Sequence, residues 1–176
     1  METQQAIFSR TSTRTFSTAP IPRQQLQTIL LSAMVVPAAH TRTGCKLYVL
    51  NSQQMQRLVQ VMAGSAVPVA TAATGILVLG DISAFNPPTL AWGNNCAAAV
   101  QNMALTATDL GIGNTWVGVW PSASRGTAVQ QALSLPNNMQ PHSILLLGYP
   151  TTPRKAPAPQ WRQELIYSDS FVPDPQ

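Results

Sequence analysis

Charge is scarce in this chain. Asp, Glu, Lys and Arg make up 9% of its 176 residues, where about a quarter is usual. Ten basic residues against six acidic ones give a net charge of +4, but no run of Lys or Arg occurs. Nucleic-acid binders present a dense basic face, so that class is not expected; a modest basic excess suits an anionic small molecule. There are two cysteines. Cys45 and Cys96 have neither CxxC nor metal-ligand spacing and read as buried reduced thiols. The two histidines, His40 and His142, lack neighbouring ligands, so no metal is expected. No apolar run reaches the ~20 residues needed to span a bilayer, and "METQQAIFSR" holds no apolar core of a secretory signal. These absences predict a cytoplasmic chain with no membrane partner.

What remains is apolar or weakly polar. Hydrophobic residues make up 45% of the chain, enough for one domain with a sizeable core and unlike the composition of disorder. So little charge leaves much weakly polar surface, which points to an oligomer.

Periodicity organises the chain. Pro22 fits a first helical position, and Leu26, Ile29, Leu30, Ala33 and Met34 follow at helical spacing until Pro37. "CKLYVL" predicts a strand, Met55, Leu58, Val59 and Met62 a second helix, and "GILVLG" a buried strand. Residues 63–74 read as irregular and 82–94 as a loop containing Trp92. Ala97, Val100, Met103, Ala104, Ala107 and Leu110 predict a long central helix, stopped at Gly111. Its alanines allow close packing, in the core or against another subunit. "NTWVGVW", "SRGTAVQQALSL" and "HSILLLGY" predict strand, helix and strand. This order describes an α+β or α/β domain around one sheet. The glycines of "GIGNTWVG" follow a helix and precede a strand, the wrong order for a dinucleotide fingerprint.

The stretch "SRTSTRTF" sets Arg10 and Arg14 four apart with Ser12 between them. In a helix or a strand the two share a side. Arginine forks and hydroxyls suit an ionised phosphate, which offers acceptors and charge. The plainer alternative is a solvated loop whose hydroxyls cap a helix.

"FSRTSTRTF" followed by "IPRQQLQTILLSAMVVPAAHTRTGCKLYVL" resembles the start of the nitroreductase family of FMN enzymes. "NNCAAAVQNMALTATDLGIGNTWVGVWP" is similar to its central helix, corner and Trp-bearing strand, and "LPNNMQPHSILLLGYP" to its closing strand. The resemblance runs from about residue 6 to about residue 168. It implies an α+β three-layer sandwich, a mostly antiparallel sheet flanked by helices, in an intertwined homodimer. Residues 1–150 would form the FMN domain, and 151–176 an extended tail packing on the partner subunit. The resemblance further implies that Arg10, Ser12 and Arg14 hold the FMN phosphate and ribityl chain, with the Thr11 backbone beside them. Pro37, Ala38 and Ala39 would line the flavin from the partner, Thr41 would be a cofactor-binding residue at the family's usual Asn, and the backbone of Trp116, Val117 and Gly118 would face the ring. Arg162 would add a phosphate contact, with Arg154 and Lys155 as rivals. His40 lies beside the implied flavin loop and is a candidate for catalysis, while His142 reads as structural. Trp92 reads as a loop aromatic or as a lid over the substrate.

The sequence departs from the family pattern at Ala38, Thr41, Thr43, Gly44, Cys45 and Asn95, which bear on the ring edge and the substrate. The implied activity is ping-pong hydride transfer through flavin N5, from NADH or NADPH to a small-molecule acceptor such as a nitroaromatic or a quinone. The alternatives are an FMN storage or sensor protein, or a specialised flavin oxidase or dehalogenase on the same scaffold.

Overall fold

Apolar runs too short for helices and rich in branched residues become the four strands of one sheet. The computed structural model describes residues 1–37, 44–85, 90–152 and 155–166. Strands β1 (Cys45–Leu50), β2 (Thr74–Asp81), β3 (Gly113–Gly118) and β4 (Met139–Gly148) lie in the order β1-β2-β4-β3. Every pair is antiparallel.

The two inner strands have no polar face. Ile76, Val78, Leu145 and Leu147 point to one core, Leu77, Leu79, Ile144 and Leu146 to the other, as the period of two requires. Helices must therefore cover both faces. Helices α2 (Arg23–Ser32) and α5 (Ala91–Asp109) cover the first; α3 (Ser52–Val61), α4 (Ala66–Thr71) and α6 (Ala123–Leu133) cover the second. The result is the three-layer α+β sandwich anticipated above. No described helix is long and apolar enough to cross a membrane.

Local signals account for several boundaries. Asn51 and Gln54 form a reciprocal capping box at the start of α3, each side chain accepting from the other's backbone N–H at 2.9 Å. Asn51→Ala removes one half of it and is expected to cost about 1 kcal/mol, read as a lower urea midpoint with an unchanged slope. Gly111, at φ +72°, ends α5. The Ile112 N–H reaches the Ala107 carbonyl at 2.8 Å and the Gly111 N–H reaches that of Thr108 at 3.0 Å, the paired bonds of a Schellman stop. Gly113 has a different task. A Cβ there would lie 2.6 Å from Thr13 Oγ1, so its absence lets the N-terminal segment lie against β3.

Four sequence expectations change. Residues Thr3–Ser9 form a helix, α1, which packs on α5. Residues 66–71 of the supposedly irregular stretch form α4. The first long helix ends at Ser32 and finishes in a 3-10 turn, Ala33–Val35. The expected loop at 82–94 also gives way: α5 begins at Ala91, so Trp92 lies in its first turn, 4% exposed. Gly80 has no side chain, and the Trp92 ring occupies the space where its Cβ would stand. A buried core residue cannot act as a surface lid, so that role for Trp92 is withdrawn.

Candidate active site

The segment after Arg10 runs along the sheet edge and meets it in two isolated bridges. Ser12 bridges Asn114 in parallel and Phe16 bridges Pro150 antiparallel. The Thr13 N–H donates to the Asn114 carbonyl at 2.9 Å and the Ser17 N–H to that of Tyr149 at 2.7 Å. The Thr115 hydroxyl bonds the Thr13 carbonyl, and Thr15 and Thr151 share a hydroxyl bond of 2.8 Å. Backbone bonds and the hydroxyls of Thr115, Thr15 and Thr151 thus hold the segment in place, and neither α1 nor α2 has a side-chain cap.

This anchoring divides the two arginines. Arg10, Thr11, Ser12 and Lys155 line one hollow of about 400 Å³. Arg14 lines another, of about 470 Å³, with Thr11, Thr13, Thr15, Gly111 and Asn114. Thr11 borders both. In the second hollow Asn114 is 2% exposed. Its Nδ2 donates to the Ala104 carbonyl and the Thr108 hydroxyl, each at 3.1 Å. Its Oδ1 has no hydrogen-bond partner among the described residues. Buried acceptors are usually paired, so this oxygen suits a ligand donor.

Among the tail cations, Lys155 joins Arg10 and Ser12. Arg162 instead pairs with Glu164 at 2.6 Å, with both side chains exposed, and lines neither hollow. Arg154 lies outside the described residues, as do Ala38, Ala39, His40, Thr41 and Thr43; Pro37 is described and exposed.

Strand β3 has an open edge. The Asn114 carbonyl points outward to Thr13, and a strand's amides alternate in direction. The amides of Trp116 and Gly118 therefore also point outward, while those of Val117 face β4. The Val117 side chain is buried at 5% exposure in the core on the α3 and α6 side. Arg125 of α6, which the sequence did not single out, donates from Nη1 to the Gly118 carbonyl at 2.8 Å. This leaves the Trp116 and Gly118 N–H groups as the outward donors.

Beside this edge lies an aromatic group. Ring centroids of His142 and Trp120 are 5.9 Å apart at 19°, those of Trp116 and His142 are 6.0 Å apart, and Trp92 meets Trp120 edge-on at 5.7 Å. A bulge explains it. Val78 pairs with Ser143 and Leu79 with Pro141, so His142 is the extra residue of β4. Such bulges redirect a side chain, and Pro141, with no N–H, is tolerated there. Trp116 and Trp120 remain 38% and 40% exposed.

Burial lowers the His142 pKa from 6.5, keeping the ring neutral. The unfolded chain takes up this proton as pH falls through about 6.5 while the folded chain resists it. Stability contributed by neutral His142 is therefore complete above that pH and lost below it, by up to about 1.4 kcal/mol per pH unit. His142→Phe is expected to flatten the decline of the melting midpoint between pH 7 and 5; an unchanged slope rules this source out.

A model described as the Nitroreductase family matches residues 7–79 and 91–149. A relative from Archaeoglobus fulgidus, provisionally named an NADH dehydrogenase/NAD(P)H nitroreductase, is 33% identical over 146 residues, covering 82% of this chain and 83% of that one. One of the same name from Methanothermobacter thermautotrophicus is 30% identical, covering 85% and 78%. Among solved structures, an FMN-dependent nitroreductase from Clostridium difficile superposes with a TM-score of 0.85 at 18% identity, covering 96% of this chain and 99% of that one.

Proposed function

The chain belongs to the nitroreductase family, and from that premise we propose that it is an FMN-dependent oxidoreductase, reduced by NADH or NADPH and reoxidised by a nitroaromatic or quinone-type acceptor. The observation that carries this reading is a cationic, hydroxyl-lined hollow and an open strand edge served by one short N-terminal segment.

The residues present fit the cofactor. Arg10 and Lys155 supply two positive charges, and Thr11 and Ser12 supply hydroxyls, the chemistry suited to a terminal phosphate. Arg14 and Asn114 border the neighbouring hollow. The outward N–H groups of Trp116 and Gly118 suit the acceptor atoms along a flavin's edge. Once bound, FMN would carry the electrons between nicotinamide and acceptor. The protein's part is to hold, orient and cover it, a role that needs no acid–base pair among the described residues.

The same reading includes a homodimer. Phe8 on α1, and Leu31, Met34 and Val35 at the end of α2, are 50–73% exposed, and Trp161 in the tail is 79% exposed. Such apolar exposure is unusual for a monomer. An obligate interface buries more than about 2,000 Å², and these residues, with the tail laid on the partner, are its proposed centre. The Ala-rich face of α5 is used within the chain, where Ala99, Val100, Ala104 and Ala107 are buried.

Steady-state oxidation of NADH and NADPH with an added quinone tests the activity. Acceptor-dependent turnover is expected. A protein that binds FMN stoichiometrically but does not turn over would be a storage or sensor protein instead.

A further inference from the structure

Two thiols that the proposed flavin chemistry leaves unused meet between the sheet and α5. Cys45 opens β1 opposite Gly80 of β2 and packs against the core on the α5 side. Cys96, in the second turn of α5, is fully buried, with its sulfur 3.4 Å from the carbonyl oxygen of Leu79, the residue before Gly80. Neighbouring strands are about 4.8 Å apart. A sulfur held over this part of β2 is thus within reach of the facing position on β1. Gly80 permits the approach, because the Trp92 ring, one turn before Cys96, fills its side-chain space and lets α5 sit close to the sheet. The Cys96 thiol donates to the Leu79 carbonyl, and each of the two thiols acts on the ionisation of the other.

Their surroundings differ. Cys45 is partly exposed and Cys96 is buried. The Cys96 thiol, and more weakly the Lys46 ammonium, draw the Cys45 pKa down against the opposing effect of burial. The contact with Cys45 and burial push that of Cys96 up. A partly exposed cysteine whose thiol is drawn toward the thiolate, beside a buried one held protonated, is the arrangement of a peroxide-sensitive cysteine and its resolving partner.

We propose that Cys45 and Cys96 are a redox pair that a hydroperoxide converts into an intramolecular disulfide. The Cys45 thiolate attacks the peroxide, the O–O bond breaks, and Cys45 becomes a sulfenic acid while an alcohol, or water from hydrogen peroxide, departs. The Cys96 sulfur then attacks that sulfenic sulfur. The S–S bond forms, the S–O bond breaks, and water leaves with the Cys96 proton. Two electrons pass from the thiols to one peroxide, and an external dithiol returns them. In a reducing compartment such a bond is transient and signals oxidation. It fastens the first residue of β1 to α5.

The test uses the purified full-length protein, reduced and then freed of reductant. It is exposed to excess hydrogen peroxide, denatured, alkylated with N-ethylmaleimide and weighed intact. The expected product carries no alkyl group, is lighter than the reduced chain by two hydrogens, yields a linked Cys45–Cys96 peptide, and regains both thiols with dithiothreitol. In Cys96→Ser, Cys45 is expected to gain one oxygen that dimedone traps; in Cys45→Ser, Cys96 stays alkylatable. A wild-type chain that keeps both thiols, stops at a sulfinic acid, or links two chains overturns the proposal. The wild-type result decides alone, whether or not a variant folds.

Discussion

Replacing both Arg10 and Lys155 with alanine is expected to weaken FMN binding by about two orders of magnitude or more while the chain stays folded. Each charge-assisted contact to a phosphate contributes about 1.5–3 kcal/mol, and every 1.4 kcal/mol or so is a tenfold change in affinity. Arg10 is half-buried, Lys155 is exposed, and both border the same hollow, so the loss falls on the ligand more than on the core. Titrating the apoprotein with FMN and following flavin fluorescence measures it. Arg162→Ala serves as the control. Its guanidinium already pairs with Glu164, and it is expected to leave the affinity within about twofold, since surface substitutions away from a site rarely exceed about 0.5 kcal/mol. A double variant that retains stoichiometric FMN would place the phosphate elsewhere.

The largest stability effect is expected at Trp92. This side chain is 4% exposed, fills the space over Gly80 and meets Trp120 and His142 edge-on. Trp92→Ala leaves a cavity that the flanking sheet and helix cannot close, at about 3–5 kcal/mol. That is a large share of the 5–15 kcal/mol or so that holds a domain together. Gly80→Ala is expected to destabilise by about 1–3 kcal/mol through overpacking, because its new methyl overlaps the indole. The two changes occupy the same space, so Gly80→Ala should cost much less once Trp92 is already alanine. Urea unfolding of the two single variants and the double variant gives this coupling directly. Additive costs would show that the indole and Gly80 are independent.

Trp92 also shows where sequence reading fails. Strands β1, β2 and β4 were legible because their apolar runs are short and branched, and α2, α3 and α5 because their apolar residues recur at helical spacing. The start of α5 was not. "WGNN" reads locally as a loop, and only tertiary packing makes it helical: Gly93 lies against the Trp120 ring and Asn95 is buried. Helix α1 is too short, with a single buried residue, Ala6, to show a period. The redirection of His142 depends on a register shift between β2 and β4, which no window of a single strand contains.

The site was legible in part for the same reason. Arg-x-Ser-x-Arg marked the segment, but its hydrogen bonds run to Asn114, Tyr149 and Thr151, more than a hundred residues away. Those distant partners decide that Arg10 and Arg14 serve different hollows. Lys155 was a rival to Arg162 on sequence because both are tail cations amid prolines. Only the path of the chain brings Lys155 beside Arg10. Arg125 gave no signal at all; its bond to the Gly118 carbonyl crosses from a helix to a strand edge.

The visible spectrum of the purified protein, recorded without oxygen before and after addition of NADH or NADPH and then of a quinone, tests the central claim most directly. A bound flavin spectrum near one equivalent per chain, bleached by the nicotinamide and restored by the quinone, is the predicted result. A protein that neither carries flavin nor takes up added FMN, or one whose bound flavin no reduced nicotinamide bleaches, would contradict it.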